Sequence, residues 1–127
     1  MTDMRTPLGR VRGLGSARDG TTHFWRQRVT AVANVFLITF FVVLVISLQG
    51  GDYESVTAAL ANPLVAIVML MVVVSGVYHM KLGMQIVIED YVHDELPKFL
   101  TLMANTFFSA FIGLASIFAV LKISFGG

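Results

Sequence analysis

The chain has 127 residues, of which 56% are hydrophobic and 13% charged, with a mean hydropathy of +0.78 and a formal net charge of +1. A soluble domain carries about 25% charged residues, so water is not the main solvent here, and the length leaves room for one small domain but for no separate soluble catalytic domain. The chain has no cysteine, which excludes a disulfide framework, a protein-ligated iron–sulfur cluster and haem attached through thioethers.

The first 28 residues form a basic segment with Arg5, Arg10, Arg12, Arg18, Arg26 and Arg28. Within it "GRVRGLGSARDGTT" is rich in Gly, Ser and Thr and reads as extended or disordered unless a partner holds it. Residues 29–127 read as a three-helix transmembrane domain. Residues 29–48 are twenty positions without a charge, the length a helix needs to cross about 30 Å of hydrocarbon. "ALA" at 59–61 resembles a signal cleavage site, but the apolar run before it is too long for a signal peptide, and two more such runs follow. Asn62 then precedes Pro63, which suits a first helical turn, and the apolar pattern predicts one helix over about 62–88 whose later turns become polar. A third charge-free run covers residues 99–121, after Pro97 and before Lys122. Soluble helices show a polar face and these runs show none, so the fold class is all-α, an integral membrane protein with three spans.

The first loop, 49–61, has no Lys or Arg and carries Asp52 and Glu54. The arginines therefore put the N-terminus in the cytoplasm and, after three crossings, the C-terminus outside. The 89–98 segment returns to the cytoplasm although it is acidic, with Glu89, Asp90, Asp94 and Glu95 against Lys98.

The chemistry concentrates in the second span. His79 is ionisable inside a membrane helix, where such a group usually faces protein, water or a cofactor. At 100° per residue, Gly76, His79 and Gly83 share one face. Missing side chains on both sides of an imidazole leave a flat slot that suits a haem bound through the ring nitrogen. Helix packing through small residues, or a buried hydrogen-bonded histidine, explains the same pattern. Asp90 follows His79 by eleven residues, which is three turns, about 20° and a rise of about 16 Å, so the two share a face at different depths. Tyr91 can donate a hydrogen bond to a carbonyl oxygen or serve as an interfacial anchor.

Phe24 and Trp25 fit an aromatic belt, His23 a surface or headgroup position, and Lys81 a side chain that snorkels to the interface. Asn34 and Asn105 read as interhelical glue. Met84 lies about 140° round the helix from His79, too far to share its slot. No nucleophile elbow, glycine-rich phosphate loop or paired acid cluster is present, so hydrolysis, phosphoryl transfer and nucleic-acid binding have no support.

The pattern H-x-x-x-G-M-Q-x-x-x-x-D-Y from His79 to Tyr91, with "HFWRQRVTA" from His23 to Ala31, resembles the small membrane-anchor subunit of succinate dehydrogenase, respiratory complex II, of the bacterial type that binds haem b. The resemblance spans nearly the whole chain. It implies that His79 is an axial ligand of haem b, flanked by Gly76 and Gly83, that Tyr91 hydrogen-bonds ubiquinone, and that Asp90 supports this tyrosine and the proton supply. Arg28 in "RVTA" matches an arginine near the cytoplasmic end of the first span, where a guanidinium can pair with a haem propionate or an anionic headgroup. The implied partners are a larger cytochrome b anchor subunit giving the opposite axial histidine, an iron–sulfur subunit and a flavoprotein subunit, in the bacterial inner membrane. The expected function is electron transfer from succinate to quinone by the whole complex, the chain alone being non-catalytic. A fumarate reductase anchor and a cofactor-free structural membrane subunit are the alternatives.

Overall fold

The computed structural model describes residues 6–13 and 19–126, with the backbone alone at positions 9, 10, 19 and 20. Arg5 and Arg18 lie outside the described residues, as does the side chain of Arg10. The described chain is all helical: α1 (Pro7–Val11), α2 (Asp19–Ser47), α3 (Tyr53–Ala61), α4 (Pro63–Tyr91) and α5 (Glu95–Ser124). Three stretches, Thr21–Ser47, Pro63–Tyr91 and Glu95–Ser124, are long and apolar enough to cross a membrane.

Each long helix exceeds its uncharged run. α2 starts ten residues before Val29, so Asp19 to Thr22 are helical rather than extended, and Gly9 to Val11 belong to α1, which opens on Pro7. The reason is propagation: once the apolar run is helical, each added residue gains a backbone hydrogen bond, and no proline stands between Asp19 and Val29 to stop it. α5 likewise starts at Glu95 rather than Phe99. Pro97 falls within its first turn, where a missing N–H costs nothing.

The turns are built locally. After α2 the chain turns through Gly50, whose φ of +79° glycine adopts without a Cβ penalty. Asp52 then caps α3, its Oδ1 accepting from Ser55 N at 2.9 Å and Ser55 Oγ at 2.7 Å. These two bonds hold the Asp52 carboxyl below the usual carboxylate range. Asn62 caps α4 through Oδ1, which accepts from Leu64 N at 2.9 Å, with Pro63 at the first position. At the opposite end α4 stops at Val92, and Lys98 Nζ donates to Glu89 O at 3.3 Å across the turn to α5.

α4 lies between α2 and α5 and packs against both, whereas α2 and α5 do not touch; α3 rests on α4 and α5 at the end where α2 gives way to α4. Small residues let α4 and α5 approach: Ser109 is buried, and a Cβ on Gly113 would sit 3.5 Å from Val77 Cγ1. Asn105 Nδ2 donates to Lys81 O at 3.0 Å across the same seam. Among the described residues the buried hydrophobic set is Ala66, Leu82, Ile88 and Val120, while Phe107, Phe108, Phe111 and Phe118 face outward. A chain so apolar on its outside belongs in lipid or against another apolar chain.

Candidate functional site: the α2–α4 face around His79

α4 runs unbroken from Pro63 to Tyr91, so His79 and the Asp90–Tyr91 pair stand on one rod with no kink residue between them. His79 is half-buried where α4 meets α2, and its Nδ1 lies 3.1 Å from Thr30 Oγ1. The same hydroxyl sits 2.9 Å from Arg26 O and 3.0 Å from Gln27 O. Carbonyl oxygens only accept, so a hydroxyl proton turned toward them leaves the Oγ1 lone pairs for Nδ1–H. Where Nδ1 is the protonated nitrogen, this contact fixes the plane of the ring and leaves Nε2 unprotonated, the state a metal ligand needs.

The two glycines flank this imidazole differently. A Cβ on Gly76 would meet no atom within 4 Å, so the face beside His79 is open there. A Cβ on Gly83 would lie 3.7 Å from Gln27 Nε2, so α2 borders the slot one turn above. The open flank, the half-buried ring and the free nitrogen together fit a planar group ligated from this side. Among the described residues no three His, Cys, Asp or Glu side chains group as a metal site, so a metal here would need its remaining ligands from a macrocycle and from another chain.

Above the ring, a cavity of about 330 Å³ is lined by His23, Phe24, Gln27, Arg28 and Ile86. The Arg28 guanidinium stacks 4.2 Å over the Phe24 ring, which itself meets Trp25 edge-on at 5.9 Å. His23 Nε2 and Gln27 Oε1 are buried without a hydrogen-bond partner among the described residues. Asp90 and Tyr91 are exposed at the end of α4, Tyr91 by 79%, and neither side chain hydrogen-bonds within the described residues. The structure therefore brings His79, Gly76, Gly83 and Arg28 to the α2–α4 face and leaves Asp90 and Tyr91 outside any pocket made by this chain alone.

Sequence reasoning did not find Thr30 or Gln27 as neighbours of the imidazole, and it gave His23 a surface or headgroup position. The available signal was depth: antiparallel α2 and α4 bring the first apolar turn of one beside the last apolar turns of the other. The two asparagines also divide. Asn105 bridges helices, whereas Asn34 is buried at 8% exposure with Oδ1 unpartnered among the described residues.

Comparison with known proteins matches residues 2–121 to the family of succinate dehydrogenase/fumarate reductase transmembrane subunits. The succinate dehydrogenase hydrophobic membrane anchor subunit of Paracoccus denitrificans is 31% identical over 121 residues, 95% of this chain and 93% of that protein. The subunit of the same name from Rickettsia bellii (strain RML369-C) is 30% identical over 118 residues, 93% of this chain and 94% of the relative. Three membrane-length helices, an imidazole at a helix seam and this match over almost the full chain lead to one conclusion: the chain belongs to the succinate dehydrogenase/fumarate reductase transmembrane subunit family.

Proposed function

We propose that this chain anchors a succinate:ubiquinone oxidoreductase in the bacterial inner membrane, gives one axial ligand to haem b and forms part of the quinone-reduction site. The observation that carries the haem reading is the Thr30 hydroxyl at His79 Nδ1, which orients the ring and leaves Nε2 for a ligand, with open space at Gly76 on the same helix. His79 would hold the iron, with Gly76 and Gly83 accommodating the macrocycle and Arg28 near enough to the same face to meet a propionate. When bound, haem supplies a one-electron carrier between the chains.

The quinone reading rests on Tyr91 and Asp90 at the exposed end of α4. There the phenol donates to a quinone carbonyl oxygen and favours the negative charge that grows on it during reduction. Asp90, beside it and open to water, takes up and delivers protons. Their exposure is that of a half-site, completed by other subunits. Those subunits are a larger cytochrome b anchor with the second axial histidine, and iron–sulfur and flavin subunits docked on the arginine-bearing, cytoplasmic side. The names of the relatives favour succinate oxidation over fumarate reduction as the direction of the complex.

The test is His79→Leu in the whole complex. The reduced-minus-oxidised haem b spectrum is expected to be lost or displaced while the subunits still co-purify, and an unaltered spectrum removes His79 as a ligand.

A further inference from the structure

The side of α4 turned away from His79 carries a second feature. At 100° per residue, Tyr78, Lys81 and Gln85 lie about 100° to 160° round the helix from His79. They line a polar cavity of about 530 Å³ together with His23, Arg26 and Glu89. Below it run two apolar troughs. One, about 500 Å³, follows α2 past Ala33, Leu37 and Met71. The other, about 430 Å³, follows α5 past Ala110, Gly113 and Ile117. Tyr78 lines all three spaces, and Lys81 lines both the polar cavity and the α5 trough. A polar chamber thus borders two apolar troughs, with Tyr78 where they meet.

Depth and charge identify the occupant. From Ser47 to Arg26 the α2 rod rises about 32 Å, which matches a hydrocarbon layer of about 30 Å and puts Arg26 at headgroup level. The Thr30–His79 contact sets the register of the two antiparallel helices, so Lys81 and Gln85 stand close to the height of Arg26. Neither Arg26 nor Lys81 has an ion-pair partner among the described residues, and Glu89, the one acid in the chamber, already accepts from Gln85 Nε2 at 2.8 Å. We propose that this groove is a site for a single anionic diacyl phospholipid, its phosphate between Arg26 and Lys81 and one acyl chain in each trough. Basic pockets between membrane helices select anionic headgroups, and the forked apolar floor selects a two-chain lipid over a soluble anion. Arg26 and Lys81 have no part in the haem and quinone readings, although Thr30 borders the α2 trough and His23 the chamber.

The experiment uses the whole complex extracted in mild detergent, with retained phospholipid measured by native mass spectrometry. Wild type is expected to keep an anionic diacyl lipid enriched over its share in the parent membrane. Arg26→Gln with Lys81→Gln is expected to lower that retention about fivefold for each cation removed, with the haem spectrum unchanged. Ala110→Phe, which fills the α5 trough from an exposed position, is expected to reduce it with both charges intact, and carries the test if the double variant does not assemble. Because the chain has no cysteine, a photoreactive label on Ala110→Cys reports the neighbour directly, and it is expected to join lipid. Retention in the proportions of the parent membrane overturns the proposal. So does release of the retained phosphorus by excess inorganic phosphate, which marks a soluble anion. Labelling of another subunit in place of lipid also overturns it, because a protein helix then fills the groove.

Discussion

The two ends of the bundle treat their polar side chains in opposite ways. At the α3 end each cap is closed within a few residues. Asp52 is held by Ser55, Asn62 by the first turn of α4, and Thr57 by the carbonyls of Tyr53 and Glu54. At the arginine-bearing end Gln85, Glu89 and Lys98 bond within the chain, but several other polar groups do not. His23 Nε2 and Gln27 Oε1 are buried without partners among the described residues, Tyr91 and Asp90 are exposed, and Arg26 and Lys81 face a cavity. Buried polar atoms are costly to leave unmet, so the two unmet atoms of His23 and Gln27 mark where this end would accept a partner, while the caps at the α3 end are met within the chain.

That contrast can be broken by mutation. The largest effect is expected at His79, where replacement by Leu removes the proposed iron ligand. Next is Tyr91→Phe, expected to lower quinone reductase activity about tenfold to a hundredfold, the worth of one hydrogen bond to a developing charge. Succinate oxidation with an artificial acceptor should survive, and equal loss of both activities would assign Tyr91 to assembly instead.

Thr30→Val tests the orientation of the imidazole. Loss of the partner at the far ring nitrogen commonly costs about tenfold to a hundredfold in metal affinity. Haem should therefore dissociate more readily and its band should broaden, with Thr30→Ser restoring both. Wild-type haem retention in the valine variant would show that packing alone holds the ring.

The smallest effect belongs to the other end. Asp52→Ala should speed amide hydrogen exchange in residues 53–61 and leave haem content and activity untouched. Titration gives the same information with a definite sign. The Asp52 carboxyl is lowered by its bonds to Ser55, so its contribution to the cap is full above the ordinary aspartate range and fades as pH falls through the lowered value. Faster exchange on raising the pH from that range toward neutrality, beyond the ordinary base catalysis shown by the alanine variant, would contradict this.

Much of the architecture was legible in the residue order, because a bilayer writes its thickness into uncharged runs such as 29–48 and 99–121. The continuity of α4 could be read too, since nothing between Pro63 and Tyr91 breaks a helix. α3 escaped notice: "YESVTAALA" is nine residues of mostly small or polar character, and its helicity is set by the Asp52 cap and by contact with α4 and α5. The length of α2 was also hidden, because arginine and glutamine mark the edge of lipid without marking the end of a helix. At the site, the spacing of Gly76, His79 and Gly83 could be seen along one helix. Thr30 could not, being 49 positions away from its partner and joined to it only by the packing of two rods.

Since α4 packs against both α2 and α5 while no Cα of α2 comes within 8 Å of one in α5, the described helices open like a book with α4 as its spine and α3 bracing one end. Both pages remain available at once, so a group held on one side does not evict whatever rests on the other. The same layout makes α4, braced by α3 at one end, the link through which a twist imposed on one side reaches the other.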